Sequence, residues 1–300
     1  MPELASAQPL QLRAPRADEC DALLRFIATL NQPGAQHCLH VADTEAGIRA
    51  DIERDQIDLC SAFTVAIDAA GWSGAVGMDR EGDGGWLLGP WSRAEHDSET
   101  RVALLQTALA TPGLALVRAF SDVRCEAINA ELESAGFVRH SEAHVMQAHR
   151  AAWRDRDVTA INVVEAEDHD EPALAELHRQ AFPKTWLAGQ DLLTHARKLG
   201  VMLVARDAAQ GLLGSLCLTF NAALPEGDVE FLAVQAHARG RGIGRALLRA
   251  ALCEAFAAAR CEIVNLVVSD GNVGALRLYE SSGFERLHSG ASLRWLRPSP

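Results

Sequence analysis

Lysine is nearly absent from this chain: Lys184 and Lys198 are the only two in 300 residues. Basic residues number 28 against 40 acidic ones, a formal charge of −12. General nucleic-acid binding needs a basic footprint that this composition lacks. No apolar run approaches the roughly 20 residues of a membrane span, so no membrane partner is expected. Residues 1–12 lack a basic n-region and an apolar h-region, and no secretory leader is expected. The seven cysteines (Cys20, Cys38, Cys60, Cys125, Cys217, Cys253 and Cys261) are scattered, odd in number and form no C-x-x-C pair. That pattern points to reduced thiols in a cytoplasm. His37-Cys38-Leu39-His40 could be half of a metal site, but no second ligand cluster completes it, so no metal is expected.

What is present describes a globular protein, 48% hydrophobic and 23% charged. Its length allows one large domain or two ordinary ones. The most informative stretch runs from Val234 to Leu248. Val229 to Val234 reads as a strand, and an alanine- and leucine-rich helix extends to about Arg260. Between them, Gly240, Gly242 and Gly244 let the backbone approach a ligand closely. The following helix entry adds unpaired N–H donors and a positive dipole end, which together suit a phosphate or pyrophosphate. A Walker loop is excluded, because no lysine follows the glycines. A dinucleotide fingerprint is excluded too, because Arg245 stands where its last glycine belongs. A glycine-rich helix entry without a ligand is the bland alternative.

The spacing that does fit is R-x-x-G-x-G, formed by Arg239, Gly242 and Gly244. About thirty residues later, Asn272, Ala275, Tyr279, Glu280, Gly283 and Phe284 fit N-x-x-A-x-x-x-Y-E-x-x-G-F. In this order the two patterns resemble the acetyl-CoA loop and the second signature of the GNAT (Gcn5-related) N-acyltransferase superfamily. On a helix Asn272, Ala275 and Tyr279 would share one face, with Gly283 just past the helix end. Tyr279 is also the only tyrosine in the protein.

The element order repeats. A strand, helices, three strands, helix, strand, helix and strand occupy the first half and recur after residue 158. Glu133-Ser134-Ala135-Gly136-Phe137 mirrors Glu280-Ser281-Ser282-Gly283-Phe284 at an offset of 283 − 136 = 147. A repeat this long is a duplicated domain. The first copy has lost the chemistry: Leu132 faces Tyr279, Cys125 faces Asn272, and its loop Ser92 to Glu99 carries three carboxylates and no glycine. The expected fold is α/β, two tandem GNAT-like domains, each a mixed, mostly antiparallel sheet flanked by helices. Residues 1–150 form the degenerate copy, 151–158 a polar linker, and 159–300 the catalytic copy. The last part of that copy is expected as two strands, Phe284 to Leu287 and Ser292 to Leu296.

The resemblance implies direct attack of an amine on the acetyl-CoA thioester, with Tyr279 as general acid for the departing thiolate. For the base, Glu230 leads and Asp228 follows. Two apart on a strand, they are expected on one face together with Leu232 and Val234. His178 and His237 rank below them. By resemblance the backbone of Leu232, Ala233 and Val234 pairs with the pantetheine arm. Arg239, Gly240, Arg241, Gly242, Ile243, Gly244 and Arg245 would hold the pyrophosphate, and Asn272 the cofactor arm. Substrate contacts are expected from Phe182 to Leu187, where Trp186 is a cleft wall or a packed lid. The implied co-substrate is acetyl-CoA and the acceptor a small-molecule primary amine. Two alternatives stay open: a protein amine acetyltransferase, and a CoA-binding sensor without turnover.

Overall fold

The computed structural model describes residues 10–94, 97–155, 160–183, 185, 187–207, 211–257 and 260–298. The first half runs β1 (Gln11–Arg13), α1 (Cys20–Leu30), α2 (Glu45–Arg54), α3 (Leu59–Ala62), β2 (Phe63–Asp68), β3 (Gly71–Glu81), β4 (Gly84–Ser92), α4 (Ser98–Leu109), β5 (Leu116–Asp122), α5 (Glu126–Ser134) and β6 (Val138–His149). The second runs β7 (Asn162–Glu165), α6 (Glu171–Ala181), α7 (Leu192–Leu199), β8 (Gly200–Asp207), β9 (Gly211–Phe220), β10 (Glu226–Val234), α8 (Ile243–Phe256), β11 (Ile263–Ser269), α9 (Val273–Ser281) and β12 (Glu285–Leu296). Among the described residues no helix is long and apolar enough to cross a membrane.

The chain divides into two compact units, residues 1–143 with 289–300 and residues 144–288. In the first, the strands lie in the order β1-β2-β3-β4-β5-β12. In the second, the order β7-β8-β9-β10-β11-β6 repeats it. Strands β1 to β4 and β7 to β10 are successively antiparallel, β4 with β5 and β10 with β11 are parallel, and β5 with β12 is antiparallel. This is the mixed, mostly antiparallel sheet expected for each repeat.

The unit boundaries differ from a cut at residue 150, because the last strand of each repeat is exchanged. Gly290 to Leu296 of β12 pair antiparallel with Asp122 to Leu116 of β5. Residues 144–149 of β6 fall in the second unit, where Gln147 donates to Asn265 of β11 at 2.9 Å. Strand pattern specifies which face is buried and says nothing of which copy's sheet edge the strand joins. β12 is also one continuous strand, without the break expected at Ser289-Gly290. Of the expected linker, residues 151–155 are packed in place, and 156–158 lie outside the described residues. Trp153 lies 5.5 Å from Phe256 of α8. Asp155 pairs with Arg249, and Arg150 with Glu262.

In the first unit, ladder pairing of β4 with β5 stops at Trp86 and Arg118. The chain's own residues fill the opening beyond it. Cys38 bridges Ser121 of β5, and Leu39 N–H donates to Phe120 O at 2.8 Å. The Gln36 side chain accepts from Ser92 N–H at 2.6 Å and donates to Ser92 O at 2.7 Å. Leu132, the counterpart of Tyr279, helps line the residual cavity beside Cys38. Nearby, buried Arg101 forks onto Glu131 of α5 and donates to Ser92 Oγ. The tetrapeptide 37–40 does not converge on one point. His37 is buried between Asp43 (2.8 Å) and Asp122 (3.1 Å), whereas His40 stacks on Trp86.

Asp122 carries a stability prediction. Burial opposes its ionisation, but the Arg124 guanidinium and backbone N–H and the His37 ring outweigh it, bringing its pKa from 3.8 down to about 2. A depressed carboxylate stabilises the fold above its unfolded pKa, and that stability disappears as pH falls from about 4 toward 2. His37 has the opposite sign. Burial works against its charge, Asp43 and Asp122 overcome that, and its pKa is raised. Its contribution is therefore full below pH 6.5 and is lost on titration through the higher folded value. Asp122→Asn should cost about 2 kcal/mol near pH 6 and flatten the acid limb of stability measured by urea unfolding. An unchanged limb would show that the buried pair is not coupled to folding.

Candidate active site

The second unit keeps open what the first has filled. β10 pairs with β11 only from Glu226↔Ile263 to Val229↔Leu266. Beyond Val229 the two strands part, while β10 stays bonded on its other side to β9, through Leu232↔Leu216 and Val234↔Gly214. The parting coincides with a register shift between Val229 and Phe231, leaving Glu230 as the extra residue of a bulge. Bulges of this kind bend a strand and re-aim a side chain.

The bulge corrects one expectation. Asp228, Glu230, Leu232 and Val234 do not share a face. Leu232 and Val234 pack into the core beneath α8, whereas Glu230 reaches His195 on α7. Phe231 also packs on the α6–α7 side, so two consecutive residues face the same way. Strict alternation holds only in an unbroken ladder. Asp228 lies opposite Thr219 and Asn265 in the register.

At the end of β10 the glycine loop turns into α8. Gly240 and Gly242 have φ of 75° and 81°, a left-handed conformation that side-chain-bearing residues rarely adopt. Gly242 is the N-cap of α8 and supplies no side-chain cap. Among the described residues, no protein acceptor takes the N–H groups of Gly242, Ile243 and Gly244. They are the orphan donors of a helix start, aligned with its positive dipole end. At Gly244 the constraint is space, not backbone conformation. A Cβ there would stand 3.1 Å from Leu278 of α9 and 3.8 Å from side chains of Leu232 and Val234. Here β10, α8 and α9 converge.

The arginines differ in their engagement. Arg239 Nε donates to Val234 O at 3.3 Å, Arg245 reaches Ser281 at 3.2 Å, and Arg241 lies 4.0 Å from Asp207. All three are exposed. Arg249, further along α8, forks onto Asp155.

Asn272 is the N-cap of α9, its carbonyl oxygen accepting from Ala275 N–H at 3.2 Å. Tyr279 is 8% exposed and packs against Phe284 at 5.8 Å. Among the described residues nothing hydrogen bonds its hydroxyl. Burial pushes its pKa above 10, so the phenol is protonated at neutral pH and able to donate. Gly283, with φ 92°, ends the helix, and Phe284 N–H returns to Tyr279 O at 3.0 Å. Gly136 (φ 96°) and the Phe137 N–H to Leu132 O bond reproduce this cap in the first copy. The scaffold is duplicated there without the hydroxyl.

Glu230 has protein partners on both oxygens: Thr219 Oγ1 donates to Oε1 at 3.1 Å, and His195 Nε2 lies 2.7 Å from Oε2. Sequence reasoning missed His195 and Thr219, since only the fold brings residues 195, 219 and 230 together. Cys217 lies close as well, with its ligand atom within 4.8 Å of those of His195 and Glu230. Burial, with Glu230 nearby, pushes that thiol well above its usual range. His178 is buried, bonded to Leu187 O at 3.0 Å, and its pKa is lowered by burial. Its ring and that of Phe182 pack on Phe231, so His178 is a core residue. His237 is exposed on the turn before the loop. Lys184 and Trp186, in the segment expected to meet substrate, lie outside the described residues.

Residues 171–284 match the sequence model of the Acetyltransferase (GNAT) family, so the second unit contains a GNAT-family domain. Among solved structures, a GCN5-related N-acetyltransferase from Sphaerobacter thermophilus superposes with a TM-score of 0.77 at 20% identity, covering 97% of each chain. A tandem GNAT protein of the clavulanic acid biosynthesis pathway gives 0.69 at 14% identity, covering 97% of this chain and all of that one. A GCN5-related glucosamine N-acetyltransferase region of a fungal multi-domain β-N-acetylglucosaminidase gives 0.69 at 17%, covering 97% and 38%. At these identities the likeness is one of fold. No curated protein matches the chain.

Proposed function

We propose that this protein moves an acetyl or other short acyl group from acetyl-CoA to a primary amine of a small molecule, by direct attack in the second unit. The observation that carries this is the convergence at Gly244. The parted end of β10, the uncapped start of α8 and the helix bearing Tyr279 meet at one residue whose side chain is missing. The edge of Leu232, Ala233 and Val234 that faces away from β9 has no strand laddered on it and suits the pantetheine amides. The N–H groups of residues 240–245, with Arg239, Arg241 and Arg245, suit the pyrophosphate. Asn272 would meet the cofactor arm through its amide nitrogen, its oxygen being used as the cap. Glu230, through water, would take the proton that leaves the ammonium, with Asp228 the weaker candidate. Tyr279 would protonate the departing thiolate. The first unit would be a degenerate partner domain, since Gln36 to Leu39 occupy the gap that acetyl-CoA would enter. The acidic balance supports a cationic acceptor, and the unpaired cysteines support a reducing cytoplasm.

Thiol release from acetyl-CoA, followed across a panel of small amines and peptides, tests this reading. Amine-dependent release with small acceptors is expected, and calorimetry should register one acetyl-CoA per chain. Binding without release would make the protein a sensor. Two sites per chain would overturn the degenerate assignment.

A further inference from the structure

Glu230 is the extra residue of a bulge, with no β9 residue in register opposite it, and its long side chain has several rotamers. Two bonds from separate elements constrain it, Thr219 of β9 on Oε1 and His195 of α7 on Oε2. His195 is largely buried, and α7 is anchored beneath it by buried Leu192, Leu193 and Ala196. The imidazole thus approaches the carboxylate from a rigid support on the α6–α7 side. This is the side on which Phe182 and Phe231 pack together.

We infer that His195 is a positioning residue for the reaction: its Nε2–H, bonded to Oε2, holds the Glu230 carboxylate in the one rotamer that presents it to the acceptor amine. The inference rests on Glu230 being the base. A His195 truncation leaves the pyrophosphate loop and Tyr279 untouched, so acetyl-CoA should bind as before. The loss should fall on kcat, by about 10- to 100-fold, the usual scale for a residue that orients a reacting group.

The test measures kcat and KM for both substrates in His195→Ala, His195→Gln, Glu230→Gln and the double variant His195→Ala/Glu230→Gln. Expected are a low kcat with unchanged acetyl-CoA KM for His195→Ala, and substantial recovery in His195→Gln, whose amide can still donate to Oε2. The double variant should be no slower than Glu230→Gln, because His195 acts through that carboxylate. Equal damage from Ala and Gln would overturn positioning, as would full activity in both. Should Glu230→Gln itself turn over normally, the base assignment fails. Should Glu230→Gln be slow while His195→Ala is fast, only the present inference fails.

Discussion

Replacing Tyr279 by Phe should lower kcat by about 100-fold while leaving acetyl-CoA affinity nearly unchanged. The substitution removes one oxygen from a ring held by packing against Phe284 and the surrounding core. That oxygen has no protein partner among the described residues, so its removal strands no buried donor or acceptor. The fold should lose little stability. What disappears is the proton for the thiolate, and general acid catalysis contributes roughly 10²–10⁴ in rate. Steady-state kinetics together with calorimetry for acetyl-CoA separate the two effects. Unchanged turnover would remove Tyr279 from the mechanism. Weakened binding with normal turnover would make it part of the cofactor site. Leu132→Tyr in the first copy should restore nothing, because Cys38 and its neighbours occupy that gap.

Gly242→Val should abolish measurable acetyl-CoA binding. With φ at 81°, Gly242 aims the first N–H groups of α8, and a β-branched residue would abandon that conformation at a cost of about 1–2 kcal/mol. Relaxation of the turn scatters the donors, and the pyrophosphate loses its contacts together. Gly242→Asn is the informative companion, since asparagine tolerates the left-handed region. It should retain binding within about tenfold. Calorimetry reads affinity, and a thermal melt of each variant separates local loss from unfolding. If valine binds as well as asparagine, the loop is not the phosphate cradle.

Part of the second signature was legible because it is local. Asn272, Ala275, Tyr279 and Gly283 lie within twelve residues, and the packed face and the terminating glycine follow from helix spacing, whereas Asn272, expected on the helix face, is its N-cap. The Arg239-x-x-Gly242-x-Gly244 turn is likewise contiguous. Expectation failed where a contact joins distant residues. Strict alternation put Glu230 on the face of Leu232, because no propensity announces a bulge. His195 is one more polar residue on an amphipathic helix until the fold sets it 2.7 Å from Glu230. The described part of the expected linker is packed chain, since Trp153 and Asp155 have partners about a hundred residues away.

By itself the sequence determined that two copies of one α/β unit exist, and that the second has its glycines and tyrosine at the spacing of the GNAT signatures. Helix caps, turns and hydrophobic periods are short-range properties, and they survive without knowledge of the fold. Only tertiary structure decided which sheet takes each copy's last strand, that Gln36 to Leu39 fill the first opening, and which way Glu230 points. Those outcomes turn on competition among distant surfaces for the same strand edges. The free-energy differences belong to packed pairs and not to any single segment.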